Sequence, residues 1–283
     1  MSCDDLRPHL TLLRVGHCRA PEAATAIGAS WRFTSFPAGV AVIRHPRRGT
    51  ILFDSGYGAA FRQATQPFPE RIYRWLTPVH LSTHETLPKQ LAARGIGQPD
   101  LVVLSHLHAD HVAGLFDLAQ MPARVQTSSK AIDGLDVGRI SSLRTGCPAG
   151  LRDRLRRLPL ERTEDSAQVD LNAFGLGAFG VGYDLLADGS MIAVPLPGHG
   201  VGQFGLYLPT LSNGPAFLVA DAAWSVAALR QNTPPPVSTL RRLGHAESYL
   251  RTFAALRDLH LSQPELRLVP SHCPESFPQE VDQ

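Results

Sequence analysis

The sequence has few cysteines and no long apolar run. The cysteines stand far apart and form no CxxC pair, at Cys3, Cys18, Cys147 and Cys273. That spacing argues against both a disulfide framework and a thiolate zinc site. No stretch approaches the roughly 20 apolar residues of a membrane helix, and the opening MSCDDLRPHL carries no apolar signal core. We therefore expect a reduced, cytoplasmic protein with no membrane partner.

The sequence also has little excess charge of either sign. Lys and Arg number 27 and Asp and Glu 25, which leaves a net charge of +2 at pH 7. This is too small for a nucleic-acid-binding surface, so no nucleic-acid partner is expected. Hydrophobic residues make up 43% of the 283 residues, which is enough for a sizeable core and excludes a disordered chain. The run Pro234–Pro236 predicts a loop rather than a domain boundary.

Short strand-like runs come in clusters, with helical patterns between them. Strands are predicted at Leu10–Val15, Val40–Arg44, Thr50–Phe53, Leu101–Leu104, Met191–Val194, Phe204–Leu208, Phe217–Ala220 and Leu266–Val269. Helices are predicted at Leu87–Arg94, Leu151–Leu158 and Ala246–Leu259, the second with leucines inward and arginines in water. Strict strand–helix alternation does not occur. The pattern favours an α+β fold in which sheets pack on each other with helices outside.

The densest set of possible metal ligands is the segment SHLHADH at positions 105–111, directly after an apolar run. His106 and His108 are two residues apart, so their side chains point to the same side of an extended backbone. Asp110 and His111 come where the chain turns into a helix and can face a second point nearby. Imidazole and carboxylate groups suit zinc and its divalent neighbours. The pattern favours a metal site over an ordinary polar loop.

Three further candidates follow predicted strands later in the chain. His199 lies in a Pro-Gly-His-Gly turn, Asp221 ends the run Phe217–Ala220, and His272 follows Leu268–Ser271. A carboxylate at the end of a buried strand is costly unless it is paired or binds a metal. Taken with the first segment, these residues complete the ligand count of a site for two metal ions.

In this order, HxHxDH, a Gly-His turn, a strand-ending Asp and a late Ser-His resemble the metallo-β-lactamase superfamily. The early segment LFDSG at 52–56 is similar to the strand–Asp–x–Gly element of that family. The resemblance runs over most of the chain and implies one domain spanning residues 1–283. It also implies a four-layer αββα sandwich with the metal site at the edge between the two sheets.

The resemblance further implies how the ligands divide. The first metal ion would be bound by His106, His108 and His199, the second by Asp110, His111 and His272, with Asp221 bridging both. Asp54 would fix the orientation of a ligand from behind, although a plain turn carboxylate is an equal alternative. Position 108 is His, whereas the oxygen-reducing diiron branch has Glu there, which favours hydrolysis over redox chemistry.

A mechanism follows from two such ions. They are expected to be zinc, with iron, manganese or cobalt as alternatives that accept the same ligands. Two divalent cations can lower the pKa of a shared water and leave a metal-bridging hydroxide as the nucleophile. Asp110 is the expected proton shuttle. No Gly-x-Ser-x-Gly elbow is present, and Cys273 is interpreted as a packing residue.

Chain length and motif spacing resemble the lactonase-like branch, so a lactone or small carboxylic ester is the predicted small-molecule substrate. Two positions differ from that branch. The Gly-His motif ends at Gln203 instead of a second His, and Trp224 stands where those enzymes tend to have Tyr. Tyr57, Trp75 and Trp224 are predicted to line the substrate pocket, with core or lid packing as the alternative. A phosphodiesterase, a thioesterase and a non-catalytic metal- or ligand-binding protein remain open.

Overall fold

A computed structural model describes residues 7–212 and 214–278. The strands are β1 (His9–Pro21), β2 (Phe33–His45), β3 (Gly49–Phe53), β4 (Val79–His80), β5 (Leu101–Val103), β6 (Arg124–Thr127), β7 (Leu160–Arg162), β8 (Ala167–Asp170), β9 (Val181–Asp184), β10 (Ile192–Pro195), β11 (Phe204–Leu208), β12 (Ala216–Ala220) and β13 (Arg267–Pro270). The helices are α1 (Ala59–Ala64), α2 (Glu70–Leu76), α3 (Leu87–Ala92), α4 (Ala109–Val112), α5 (Ser129–Asp133), α6 (Arg139–Arg144), α7 (Ala149–Leu155), α8 (Val226–Gln231), α9 (Val237–Leu243) and α10 (Ala246–Ser262). Within the described ranges, no helix combines the length and apolarity needed to cross a membrane.

The strands form two mixed sheets. The first has the order β4-β1-β2-β3-β5-β6-β7, and the second has the order β13-β12-β11-β10-β9-β8. In the first sheet, pairing is antiparallel from β4 to β3 and parallel from β3 to β7. In the second sheet, only β12 and β13 pair in parallel.

Alternating side chains on the central strands divide the core into three parts. On β12, Leu218 points into the space between the sheets, where it packs in one cluster with Ile51 and Val103. Its neighbour Phe217 points outward, into a cluster that it shares with Leu256 of α10. The outer face of the first sheet is covered in the same way by residues of α1, α3, α4 and α7. Because side chains of a strand alternate between its faces, this arrangement gives four layers. The predicted α+β fold with αββα layers is confirmed.

Most of the predicted elements are present, with shifted ends. The strands β1 and β2 are longer than expected because they pair over their whole length, through an irregularity between Arg14 and His17. In α7, Leu151 and Leu155 are fully buried as predicted. Arg156 beyond the helix is exposed, but Arg152 is not in water as predicted, because its side chain is only 12% exposed and donates to the Val137 carbonyl. The strands β4 and β6 to β9 were not predicted. Each has only two to four residues, and β4, β7, β8 and β9 are partly exposed, so they give no clear alternation of apolar residues.

The sheet topology brings several strand ends to one edge of the sandwich. The strands β3 and β5 are parallel, and β10, β12 and β13 share one direction because β10 and β12 are both antiparallel to β11. At this edge the sheets are joined by a hydrogen bond of 3.1 Å from the Phe204 amide to the Ser105 carbonyl. The residues that follow these five strand ends include Asp54, His106, His199, Asp221 and His272.

Candidate metal centre

The SHLHADH segment leaves β5 in extended conformation and then enters α4. His108 precedes the helix with φ −68° and ψ 154°. Its carbonyl accepts a hydrogen bond of 3.0 Å from the His111 amide, and the Ala109 amide donates to Gly146 at 3.0 Å. The two early histidines therefore project from extended backbone, and Asp110 and His111 from the first helical turn.

Four buried side chains form a first group of possible metal ligands. They are His106, His108, His199 and Asp221, and one ligand atom from each lies within 4.8 Å of the others. His199 Nε2 lies 3.0 Å from His108 Nδ1 and 3.1 Å from Asp221 Oδ2. Ligand atoms of a tetrahedral zinc site are roughly 3.3 Å apart when its bonds are about 2.0–2.1 Å long. The spacing of this group fits such a site.

A second group lies beside the first and shares a carboxylate with it. It consists of Asp110, His111 and His272, again within 4.8 Å of one another. His272 Nε2 lies 3.4 Å from Asp110 Oδ2 and 3.0 Å from Asp221 Oδ2, while Asp221 Oδ1 lies 3.3 Å from His111 Nε2. Asp221 therefore lies between the two groups and contacts histidines of both.

In three histidines, Nδ1 contacts a hydrogen-bonding group on the side away from the ligand groups. His111 Nδ1 donates to Asp54 Oδ2 at 2.7 Å, and His272 Nδ1 donates to the Pro37 carbonyl at 2.6 Å. His106 Nδ1 lies 3.0 Å from Ser105 Oγ. Each contact leaves Nε2 of the same ring facing the ligand groups, and outer contacts of this kind fix the tautomer and orientation of metal-binding histidines. His106 Nε2 is buried and has no hydrogen-bond partner among the described residues.

Asp54 and Ser105 form the support beneath both groups. Asp54 is fully buried and accepts hydrogen bonds from the Ser105 amide at 2.8 Å and the Ser105 hydroxyl at 2.9 Å. Its backbone has φ 63°, a left-handed conformation that Asp adopts more readily than most residues. Asp54 thus contacts His111 on the ring nitrogen that faces away from the ligand groups, and its orienting role stays a prediction. Ser105 was not predicted, although its place between a buried strand and the histidines was a signal.

Burial and neighbouring charges shift the pKa values of these histidines in opposite directions. Burial and the neighbouring histidines lower the pKa values of His106 and His108 well below their ordinary value. Burial opposes charge on His111 as well, but Asp54, Asp221 and Asp110 raise its pKa well above the ordinary value. For His272, burial is likewise outweighed by Asp221 and Asp110, and its pKa rises to about 9. His106 and His108 thus present neutral nitrogens, whereas His111 and His272 hold protons that a metal ion would displace.

Two glycines let the His199 turn approach its neighbours. Gly198 has φ 136°, and a Cβ there would lie 2.3 Å from the backbone nitrogen of Tyr249 in α10. A Cβ at Gly200 would lie 2.6 Å from Cδ2 of His106. Because neither position has room for a side chain, the turn packs directly between α10 and the first histidine.

Trp224 and Tyr57 lie next to the ligand groups. The Trp224 ring centroid is 5.8 Å from that of His199, and its indole nitrogen is buried with no hydrogen-bond partner. Tyr57 is 2% exposed. Burial raises its pKa well above the ordinary value, and the nearby Cys18 and Asp110 raise it further. Trp224 thus lies beside a ligand histidine, whereas Tyr57 is buried in the core and packs edge-on against Phe61 at 5.3 Å. Their place in a substrate pocket stays a prediction.

Trp75 and Cys273 lie away from the ligand atoms. Trp75 is 61% exposed on α2, and its ring packs edge-on against Phe68 at 5.5 Å. Cys273 is fully buried, and its sulfur accepts a hydrogen bond from the Val226 amide at 3.5 Å. Cys273 therefore packs against the start of α8, as expected.

The donor set of both groups fits divalent metal ions. Imidazole nitrogens and carboxylate oxygens are the ligands preferred by zinc and similar ions. In the part of the chain that the structure describes, no other cluster of three or more His, Cys, Asp or Glu side chains has this compactness. Buried His106 Nε2, His111 Nε2 and Asp221 Oδ1 have no hydrogen-bond partner, which is costly unless something binds them.

Comparison with known proteins agrees with this geometry. A sequence model of the metallo-beta-lactamase superfamily matches residues 36–122, which include the SHLHADH segment. The chain also superposes on an N-acyl homoserine lactone hydrolase whose product, N-hexanoyl-L-homoserine, is bound at the catalytic metal centre. That match has 14% identity and a TM-score of 0.70, and covers 95% of this chain and 94% of the other. The chain has the metallo-β-lactamase fold.

Other structures with the metallo-β-lactamase fold show the same relationship. One is a dizinc quorum-quenching lactonase, with 16% identity, a TM-score of 0.60, and coverage of 94% of this chain and 88% of the other. Another is a probable metal-dependent hydrolase from Staphylococcus aureus, with 13% identity, a TM-score of 0.66, and coverage of 96% and 91%. A search of curated proteins found no significant match. The family resemblance found in the sequence is confirmed. At these low identities, the structural matches show a shared fold.

Proposed function

We propose that this protein is a metal-dependent hydrolase that binds two divalent ions and opens a lactone or small carboxylic ester. The observation that carries the proposal is the position of Asp221, whose two oxygens contact histidines of both ligand groups. The structural relatives named above as a lactone hydrolase and a dizinc lactonase support the same chemistry. The residues act within a single domain spanning the chain.

The proposed ligands of the first ion are His106, His108 and His199, and those of the second are Asp110, His111 and His272, with Asp221 shared. Zinc is proposed because these nitrogen-rich sets suit it; iron, manganese or cobalt would use the same ligands. When bound, two such ions supply Lewis acidity and a nucleophilic water at neutral pH. The protein supplies fixed ring orientation through Asp54, Ser105 and the Pro37 carbonyl.

Asp110 is proposed to move the proton. Its side chain is 13% exposed, whereas those of His111 and Asp221 are 1% and 3% exposed. A carboxylate at the open side of the site can accept a proton from the attacking water and return it to the leaving alkoxide. Asp110 Oδ2 lies 3.4 Å from His272 Nε2. In the proposed role, Asp110 stays in the second ligand group through this contact while it faces the substrate.

Trp224 is proposed to donate a hydrogen bond to the substrate carbonyl oxygen. Its buried indole N–H has no partner among the residues that the structure describes and lies beside His199. Such a donor stabilises negative charge as it develops on that oxygen, although an indole cannot supply a proton. Trp224→Phe should therefore lower kcat by about tenfold or more without changing metal content. An unchanged kcat would assign Trp224 to the pocket wall.

The outer wall of the pocket is proposed to be apolar and to include Tyr57 and Trp75. The helix α2, which carries Trp75, leads into β4, and β4 pairs with β1 at Cys18. The Cys18 thiol is close enough to the site for Asp110 to help raise its pKa to about 12, after the larger effect of burial. An exposed indole beside Phe68 at this position suits the apolar part of an ester substrate.

The surroundings favour a neutral carbonyl substrate over a phosphodiester. The hydrogen bonds and ion pairs of the ligand side chains go to one another, to Ser105, to Asp54 and to a backbone carbonyl. Within the described ranges, none of these contacts involves Lys or Arg. Enzymes that transfer or hydrolyse phosphates commonly place cationic side chains beside the metals to stabilise the charge.

The test is a hydrolysis panel on the metal-loaded protein, with lactones, aryl esters, a thioester and a bis-aryl phosphate. His199→Ala serves as the control variant without an intact first site. Turnover of a lactone or ester that disappears in His199→Ala supports the proposal. Preferred turnover of the phosphate or thioester would replace it with that activity. Full metal loading without turnover of any compound would favour a binding protein.

A further inference from the structure

A large cavity lies outside the metal centre, at the open edge of the first sheet. Its volume is about 800 Å³, and it is enclosed by β1, β4, α3 and residues 276–278. This volume falls in the range of roughly 300–1,000 Å³ that small-molecule sites occupy. None of the proposed metal ligands lines it, so it is a separate feature of the fold.

The lining of the cavity is cationic. Arg14, Arg62, Lys89 and Arg94 all contribute to it, against the single carboxylate of Glu85. That carboxylate is already engaged, because it accepts hydrogen bonds from the Ser82 amide at 3.1 Å and the Ser82 hydroxyl at 2.7 Å. The cavity therefore has an excess of positive charge that its own residues do not neutralise.

Arg14 is the buried member of this set. Its side chain is 11% exposed, and one terminal nitrogen donates to Ser35 Oγ at 3.2 Å. Its Nε lies 3.6 Å from Glu85 Oε1 and, within residues 7–212 and 214–278, has no hydrogen-bond partner. A buried guanidinium N–H without a partner costs free energy that an anion in the cavity would recover.

Two stacked histidines form a flat surface beside Arg14. The rings of His17 and His80 are 5.1 Å apart with an angle of 15° between their planes. His17 Nδ1 is buried and has no partner. Burial, followed by the charge of Arg14, lowers the pKa of His17, so the ring is neutral at pH 7 and can donate one hydrogen bond.

Apolar side chains complete the cavity. Leu12, Val79, Leu81 and Phe277 line it next to the charged groups. A ligand that fits must therefore combine a negative group with a small apolar body. A cation is disfavoured by the surplus of Arg and Lys, and a purely apolar molecule would leave Arg14 Nε and His17 Nδ1 without partners.

We propose that this cavity binds a small organic anion, a carboxylate or phosphate monoester with a short apolar body. The planar guanidinium of Arg14 pairs with the anion, since Arg is suited to carboxylate and phosphate groups. His17 donates a second hydrogen bond, and the apolar body lies along Leu12, Leu81 and Phe277. The site is independent of the hydrolase reaction proposed above.

The experiment is calorimetric titration of the metal-loaded protein with hexanoate and with hexyl phosphate. Hexanamide and hexylammonium are the neutral and cationic probes of the same length. We expect at least one anion to bind at least tenfold more tightly than either, which is the effect of a desolvated charge pair. Arg14→Met should weaken the binding of that anion by about tenfold or more. Arg241→Met, which removes an exposed arginine of α9, should leave it unchanged.

Further variants distinguish the cavity from the metal centre. Lys89 is exposed, so Lys89→Met should fold normally even if Arg14→Met is unstable. It should weaken the binding of the anion by a smaller factor. An anion bound at the metals would be insensitive to both variants and would be lost in His199→Ala. That pattern would overturn the proposal, as would equal binding of anion and amide or no binding at millimolar concentration.

Discussion

Replacing Asp54 by Asn tests how the second ligand group is held. The carboxylate accepts from His111 Nδ1, the Ser105 amide and the Ser105 hydroxyl, at 2.7, 2.8 and 2.9 Å. Asn keeps the size and tolerates the left-handed backbone at φ 63°, but it has only one acceptor oxygen. If its oxygen faces Ser105 N, the amide NH₂ faces His111 Nδ1. His111 must then carry its proton on Nε2, the atom proposed to bind metal.

The alternative amide orientation is also unfavourable, because it places the NH₂ against the Ser105 amide N–H. Either way, one buried polar group loses its partner, at a cost of about 1–3 kcal/mol in the free energy of unfolding. Loss of such an outer contact lowers metal affinity by about 10–100-fold, which corresponds to about 1.4–2.7 kcal/mol. The loss should affect the second ion, because Asp54 contacts His111 and none of the first group directly.

The assay is a competition titration against a chromophoric chelator, with thermal unfolding of the metal-free protein beside it. Asp100→Asn is the matched control. Asp100 also accepts a backbone hydrogen bond in this sheet, from Thr50 at 2.8 Å, but it is exposed and far from the ligands in the sheet. We expect normal affinities in the control and one weakened site in Asp54→Asn. Two sites of wild-type affinity in Asp54→Asn would refute the role of this carboxylate.

Three further predictions concern activity, packing and pH. Asp110→Asn should lower kcat by about 100-fold or more with little change in Tm; retained turnover would remove Asp110 from proton transfer. Gly200→Ala places a Cβ 2.6 Å from His106 and should reduce metal content. In the control Gly138→Ala the added Cβ lies in open space, so metal content should not change. Equal metal content in both variants would contradict this packing. In the metal-free protein the pKa of His272 is about 9, above its unfolded value of roughly 6.5. Its stabilising contribution is complete below roughly pH 6.5 and is lost as pH rises through about 9. Affinity for the second ion should therefore rise up to that pH; a flat profile between pH 6.5 and 9.5 would be inconsistent with it.

Much of the site could be predicted because its residues are concentrated at strand ends. The SHLHADH segment gives four candidate ligands at once, and the later His199, Asp221 and His272 each follow an apolar strand. The sequence alone does not show which strands pair. Asp221 and His111 are close in space because the two sheets meet at one edge, which is a long-range property of the topology.

The remaining features were hidden for physical reasons. Ser105 acts through hydrogen bonds from its amide and hydroxyl to Asp54, and the Pro37 carbonyl accepts one from His272; in both cases the partner is distant in the chain. Trp75 is predicted to line the substrate pocket, but its 61% exposure depends on how α2 packs, which the sequence does not show. The cavity beside Arg14 is lined by residues on both sides of the irregularity between Arg14 and His17 in the pairing of β1 and β2, which no local pattern indicates.

The most direct test of the proposed two-metal site is the metal content of the purified, metal-loaded chain, measured together with that of Asp221→Ala. Such a site predicts about two ions per wild-type chain, as in sites where two metals act together. It also predicts a marked loss from Asp221→Ala, because that carboxylate contacts both groups. One ion or none in the wild-type protein, or an unchanged content in Asp221→Ala, would contradict it.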